Sequence, residues 1–134
     1  MPRIDGRSLG LWSLRLDAAY CLVLGLFVAL AAPWIATAVV LPADVLRVVG
    51  LAVVAWALLV LWMSARLPIR RALSIVMCAN VPASVVVAAA ALAAVNGIVA
   101  AAVVVVAVEI AAFAISQAVA LRRLAAGSAA SPTA

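Results

Sequence analysis

Four long apolar runs, at about 17–40, 45–65, 72–95 and 97–121, are separated by short polar or turn-forming stretches. A helix needs about 20 mostly apolar residues to cross the hydrocarbon core of a bilayer, and each run reaches that length. Between the first two lies LPADVLR at 41–47, a tight turn, and between the second and third RLPIRR at 66–71. Asn96-Gly97 is a minimal turn signal, which makes the third and fourth spans adjacent and antiparallel. Pro33 predicts a kink in the first span, because proline lacks an N–H and crowds the carbonyl of Ala29. The long first run, with Asp17 at its leading edge, reads as a retained span rather than a cleaved signal peptide.

Residues 1–16 carry Leu9, Trp12 and Leu16 on one helical face behind Ser8, a candidate N-cap, and fit a short cytoplasmic or interfacial segment. Residues 125–134 are small and polar enough for a flexible tail. The predicted fold is all-α: a four-helix transmembrane bundle, antiparallel and up-down.

Composition supports the same picture. Of 134 residues, 72% are hydrophobic and 10% charged, whereas a water-soluble domain is nearer half apolar and about a quarter charged. All nine basic residues are arginines, and their placement orients the chain. Arginines 3, 7 and 15 precede the first span, 66, 70 and 71 separate the second from the third, and 122 and 123 follow the fourth. Only Arg47 falls on the other side, so the positive-inside rule places both termini in the cytoplasm. The absence of lysine beside so much Ala, Val and Arg fits a bacterial gene, and hence a bacterial cytoplasmic membrane. Because the arginines flank apolar runs, the net charge of +5 speaks for anionic lipid head groups, met by Arg66, Arg70, Arg71, Arg122 and Arg123, and not for nucleic acid.

The chemistry the chain can carry is limited. It has no histidine, which removes imidazole-based catalysis and His-ligated metal centres, and its two cysteines, Cys21 and Cys78, form no C-x-x-C. No catalytic set, metal site or cofactor motif is expected. The candidate intramembrane site is Glu109, near the middle of the fourth span, with Asn80 and Ser84 at a similar depth on the third. Asn80 and Ser84 are i, i+4 neighbours, with Pro82 between them freeing the carbonyl of Cys78. A carboxyl group at mid-membrane is costly, so Glu109 is expected to face protein, either as a neutral tie between helices or as a titrating site. Asp17, Gln117 and Arg122 form a second set towards the cytoplasm: Asp17, level with Arg70, Arg71 and Arg122, reads as an interfacial ion pair and Gln117 as a wet helix end, and the alternative is a polar track from Glu109 through Ser116 and Gln117 to the cytoplasm. Small residues four apart (Gly25/Ala29, Ala32/Ala36, Ala107/Ala111, Ala114/Ala118) suit close helix contact, and the alanine-rich third and fourth spans are expected to form the close-packed core.

LRLDA at 14–18, the Leu41-Pro42 turn followed by Leu46-Arg47 and Gly50, Asn80 in the third span, and a fourth span holding Gln117 and ending in LRR resemble a group of small four-helix bacterial integral membrane proteins. That resemblance implies the fold and brings no activity with it. The chain is not a match to the small multidrug resistance transporters, whose essential glutamate lies in the first span, where this chain has only Asp17 at the edge. The expected function is that of a scaffold or accessory subunit, as a homo-oligomer or beside a larger membrane protein. The alternative is a small oligomeric transporter or ion-coupling protein that uses Glu109.

Overall fold

A computed structural model describes residues 6–129; residues 1–5, which include Arg3, and 130–134, the end of the expected tail, lie outside the described residues. Helix α1 spans Gly6–Leu30, α2 Ala32–Ile35, α3 Ala43–Arg66, α4 Ile69–Ala90 and α5 Gly97–Ala129, with a 3-10 turn at Ala91–Ala93 after α4. Four of these helical segments are long and apolar enough to cross a membrane. The chain is an all-α four-helix bundle and a multi-pass membrane protein.

The start of the first helix differs from the sequence reading. The helix begins at Gly6 and runs through residue 17 without interruption, so 6–16 are the first turns of the span and Ser8 lies inside the helix, not at its cap. Tertiary contact explains this. Gly6 sits against the backbone of Leu124 and the side chain of Arg123, and Gly10 against Leu73 and Ile69, so glycine lets the neighbouring helices close over the beginning of α1. Pro33 does more than kink the span. Helix α1 stops at Leu30, Ala31 accepts the amides of Trp34 and Ile35, and Pro33 stands in the first turn of the short α2, where a missing N–H costs nothing. Pro82, by contrast, is carried inside α4.

Turns close the other ends. Pro68 precedes α4 in extended conformation. The Asn96 side-chain oxygen accepts the amides of Ile98 and Val99 at 3.1 and 3.0 Å, capping α5. Val39 and Ala94 form an isolated antiparallel bridge, with Val40 N–H donating to Ala93 and Val95 N–H to Ala38. The connection after α2 and the one before α5 therefore lie side by side. Helix α5 continues to Ala129, so 125–129, expected in a flexible tail, are helical. At 33 residues it is about 50 Å long, well beyond the hydrocarbon thickness, and its surplus carries Arg122 and Arg123.

The core is centred on α1, not on the alanine-rich α4 and α5. Of the most apolar stretch of each helix, 39% is buried in α1 but only 11% in the α4 and α5 regions. Leu14 and Ala18 of α1 meet Val60 and Met63 of α3, Ala72, Leu73 and Val76 of α4, and Ala120 of α5. A smaller cluster at the far end gathers Ala32, Val39 and Leu46. Alanine allows α4 and α5 to approach each other, but it supplies little side chain with which to enclose a third helix.

Candidate functional site

Helical periodicity determines which polar residues meet. On α5 the inward residues are Ala107, Ile110, Ala114, Gln117 and Ala120, spaced three and four apart. On α1 they include Gly10, Leu14, Asp17, Cys21 and Gly25; on α4, Ala72, Leu73, Val76 and Asn80. Asp17, Asn80 and Gln117 thus fall on three inward stripes. Asp17 and Asn80 each lie eleven residues into their helices, about 16 Å from the arginine-bearing end.

There they form one cluster. Asn80 Nδ2 donates to Asp17 Oδ2 at 2.7 Å and Gln117 Nε2 to the same oxygen at 2.8 Å, while the Cys21 thiol approaches Oδ1 at 3.6 Å. Asp17, Asn80 and Gln117 are 2%, 3% and 0% exposed. The carboxyl group ties α1 to α4 and α5 through a single oxygen. Gln117 Oε1, also buried, has no partner among the described residues. Asp17 is therefore an interior tie holding amides, not the interfacial ion-pair partner of Arg70, Arg71 or Arg122. The reason is that Asp17 falls on the inward stripe of α1, between Leu14 and Cys21. Arg70, Arg71 and Arg122 are exposed at the surface.

Glu109 lies elsewhere. It precedes the inward Ile110 by one residue, which turns it about 100° away from the stripe. Its carboxylate accepts the hydroxyl of Tyr20 on the outer seam between α1 and α5, and Glu109 is exposed there. The structure thus separates the expected trio. Asn80 joins Asp17, Glu109 joins Tyr20, and the Ser84 hydroxyl donates back to the Val81 carbonyl of its own helix at 2.8 Å. Glu109 faces a surface groove rather than the bundle interior.

That groove runs along the α1–α5 seam, with a volume of about 400 Å³. Ser13 and Ser116 hydrogen-bond at 2.6 Å along it, and the rings of Tyr20 and Phe113 pack at 5.6 Å between centroids. A second cleft of about 370 Å³ opens between α3 and α4; Val53 and Trp56 line one wall and Ala83 and Val87 the other, with Asn80 and Cys21 at its base. Tyr20 and Ser13 had no place in the sequence reading, and Cys21 entered it only as a cysteine outside any C-x-x-C. Tyr20, the only tyrosine in the chain, falls three residues after Asp17 and was the available signal. Among the described residues no three His, Cys, Asp or Glu side chains gather as a metal site. Comparison with family models, with curated proteins and with solved structures finds no match for this chain.

Proposed function

We propose that this protein is a non-enzymatic scaffold or accessory subunit of a membrane assembly. In this reading the helices alternate in direction and both termini are cytoplasmic, in a bacterial cytoplasmic membrane. The observation that carries it is the Asp17 cluster. The most buried carboxyl group among the described residues is enclosed and spent on Asn80 and Gln117, so it binds helices together. A bundle tied at its arginine-bearing half, with sparsely buried α4 and α5, offers long apolar surfaces to a second copy or to a larger membrane protein. Arg66, Arg70, Arg71, Arg122 and Arg123 would hold it to anionic head groups. Crosslinking in native membranes, followed by mass measurement in nanodiscs, tests the reading. Crosslinked species well above the 13.6 kDa chain are expected; a single uncrosslinked chain at every lipid composition overturns it.

A second reading, transport or ion coupling by an oligomer, is favoured by one feature: Glu109 opens to the groove instead of being enclosed. Infrared difference spectroscopy across pH in nanodiscs, with Glu109→Gln as control, separates the two. A carboxyl band that titrates near neutrality and vanishes in the variant supports coupling. A band that stays unchanged supports the scaffold.

A further inference from the structure

We propose that the groove between α1 and α5 is a binding site for an amphiphilic organic cation, seated with its charge at Glu109 and its apolar body between Trp12, Leu16 and Phe113. The inference does not rest on the assembly reading. Leu9, Trp12, Leu16 and Tyr20 line one wall and Phe113 and Glu109 belong to the other. From Leu9 to Tyr20 the groove extends about 16 Å along α1. Its volume of about 400 Å³ lies within the range of roughly 300–1,000 Å³ usual for small-molecule sites.

Three features select the charge and shape of the occupant. The first is Glu109, an acid that opens roughly 18 Å along α5 into a groove lined otherwise by apolar, aromatic and serine side chains, where ionisation is costly and a cation relieves that cost. The second is the set of rings. Trp12, Tyr20 and Phe113 line the same groove, and aromatic faces attract cations most strongly where water is excluded. Tyr20 also donates to Glu109, which fixes the carboxylate at the groove's inner end. The third is direction. Trp12 stands one helical turn or two from the arginine-bearing start of α1, and Glu109 lies near mid-depth. The groove therefore leads from the head-group region to the carboxylate, the route an amphiphile takes once it has partitioned into a leaflet. A small hydrated ion lacks the apolar surface this groove would cover, and an amphiphilic anion would meet Glu109 as a like charge.

The probe is tetraphenylphosphonium, and its control is tetraphenylborate, similar in size and opposite in charge. Binding is read with the full chain in nanodiscs by equilibrium dialysis and by quenching of tryptophan emission, with Trp12→Phe reporting Trp12's share. Saturable binding of the cation is expected, weakened at least tenfold by Glu109→Gln, and in a separate titration the borate should show no saturable binding. Ala112→Phe fills the groove from an exposed position with the Glu109 carboxyl group retained, and it too should abolish binding. Each variant is melted alongside the parent, so a folding defect in one leaves the other decisive. Non-saturable uptake, or equal affinity in both variants, overturns the proposal and means partition into lipid only. Efficient disulfide crosslinking between copies carrying Ala112→Cys, with no cation binding, also overturns it and assigns the groove to a protein interface.

Discussion

Gly25 of α1 and Gly50 of α3 meet backbone to backbone: a Cβ placed on Gly25 would stand 2.7 Å from the Gly50 carbonyl oxygen. A Cβ on Gly50 would lie 2.5 Å from the Ala29 amide nitrogen. Neither neighbour is a flexible side-chain end, so the helices must part if either glycine gains a side chain. Gly25→Ala and Gly50→Ala should each destabilise the bundle by about 1–3 kcal/mol, the usual cost of overpacking. Gly127, near the end of α5, has open space where its Cβ would go, and Gly127→Ala should be neutral or slightly stabilising. Thermal unfolding in one detergent distinguishes these outcomes. Equal melting for all three variants would show that the crossing is looser than described.

Asp17 supplies the acceptor for two amides from two different helices. Asp17→Ala leaves both amides buried without that acceptor and should cost about 2–4 kcal/mol. Asp17→Asn can keep a carbonyl oxygen where Oδ2 stands and turn its NH2 towards Cys21, so both ties survive on a weaker, neutral acceptor and the cost should be well below that of Asp17→Ala, about 1 kcal/mol. A double-mutant cycle of Asp17→Ala with Asn80→Ala should show positive coupling, since each single change removes the same bond. Strict additivity would falsify the shared tie.

Much of this fold was legible in the apolar runs, because length and composition suffice to define a membrane span. The turn at Asn96-Gly97 was legible as well, and Pro33 was legible as a kink though not as the end of the first long helix. The start of α1 was not, since it depends on what packs over Gly6 and Gly10, and a single helix carries no record of its neighbours. The site shows the same limit. Depth along a span can be counted from sequence, and it brought Asn80, Ser84 and Glu109 to one level. Which way each residue faces depends on the inward stripe. Gly10, Leu14, Asp17, Cys21 and Gly25 already form such a stripe in α1, at spacings of three and four. Read by face and not by depth, Asp17 belonged inside and Glu109 outside.

The bridge between Val39 and Ala94 places two connections together; Arg7, Arg66, Arg70, Arg71, Arg122 and Arg123 gather towards the opposite end of the helices, with Arg47 on the bridge side. If the positive-inside rule governs this chain, Thr37→Cys should react with a membrane-impermeant maleimide added outside intact cells, whereas Ser8→Cys should react only after lysis. Both are compared in a Cys78→Ser background, because Cys78 is exposed on the helix surface. Labelling of Ser8→Cys from outside would reverse the orientation without altering the fold.

Gln117 and Asn80 donate to one oxygen at nearly the same distance, yet they should not be equally costly to remove. Asn80→Leu deletes a buried bond and offers nothing in return, so a loss of about 1–2 kcal/mol is expected. Gln117→Met deletes a similar bond but also removes Gln117 Oε1, a buried acceptor without a partner among the described residues. An unsatisfied buried acceptor itself costs about 1–3 kcal/mol, so its removal offsets the lost bond. Gln117→Met should then lie within about 1 kcal/mol of the parent, with Asn80→Leu clearly lower, when unfolding is followed in mixed micelles. The opposite order would mean that the Gln117 carbonyl is satisfied in the membrane, and that its amide is the stronger of the two ties on Asp17.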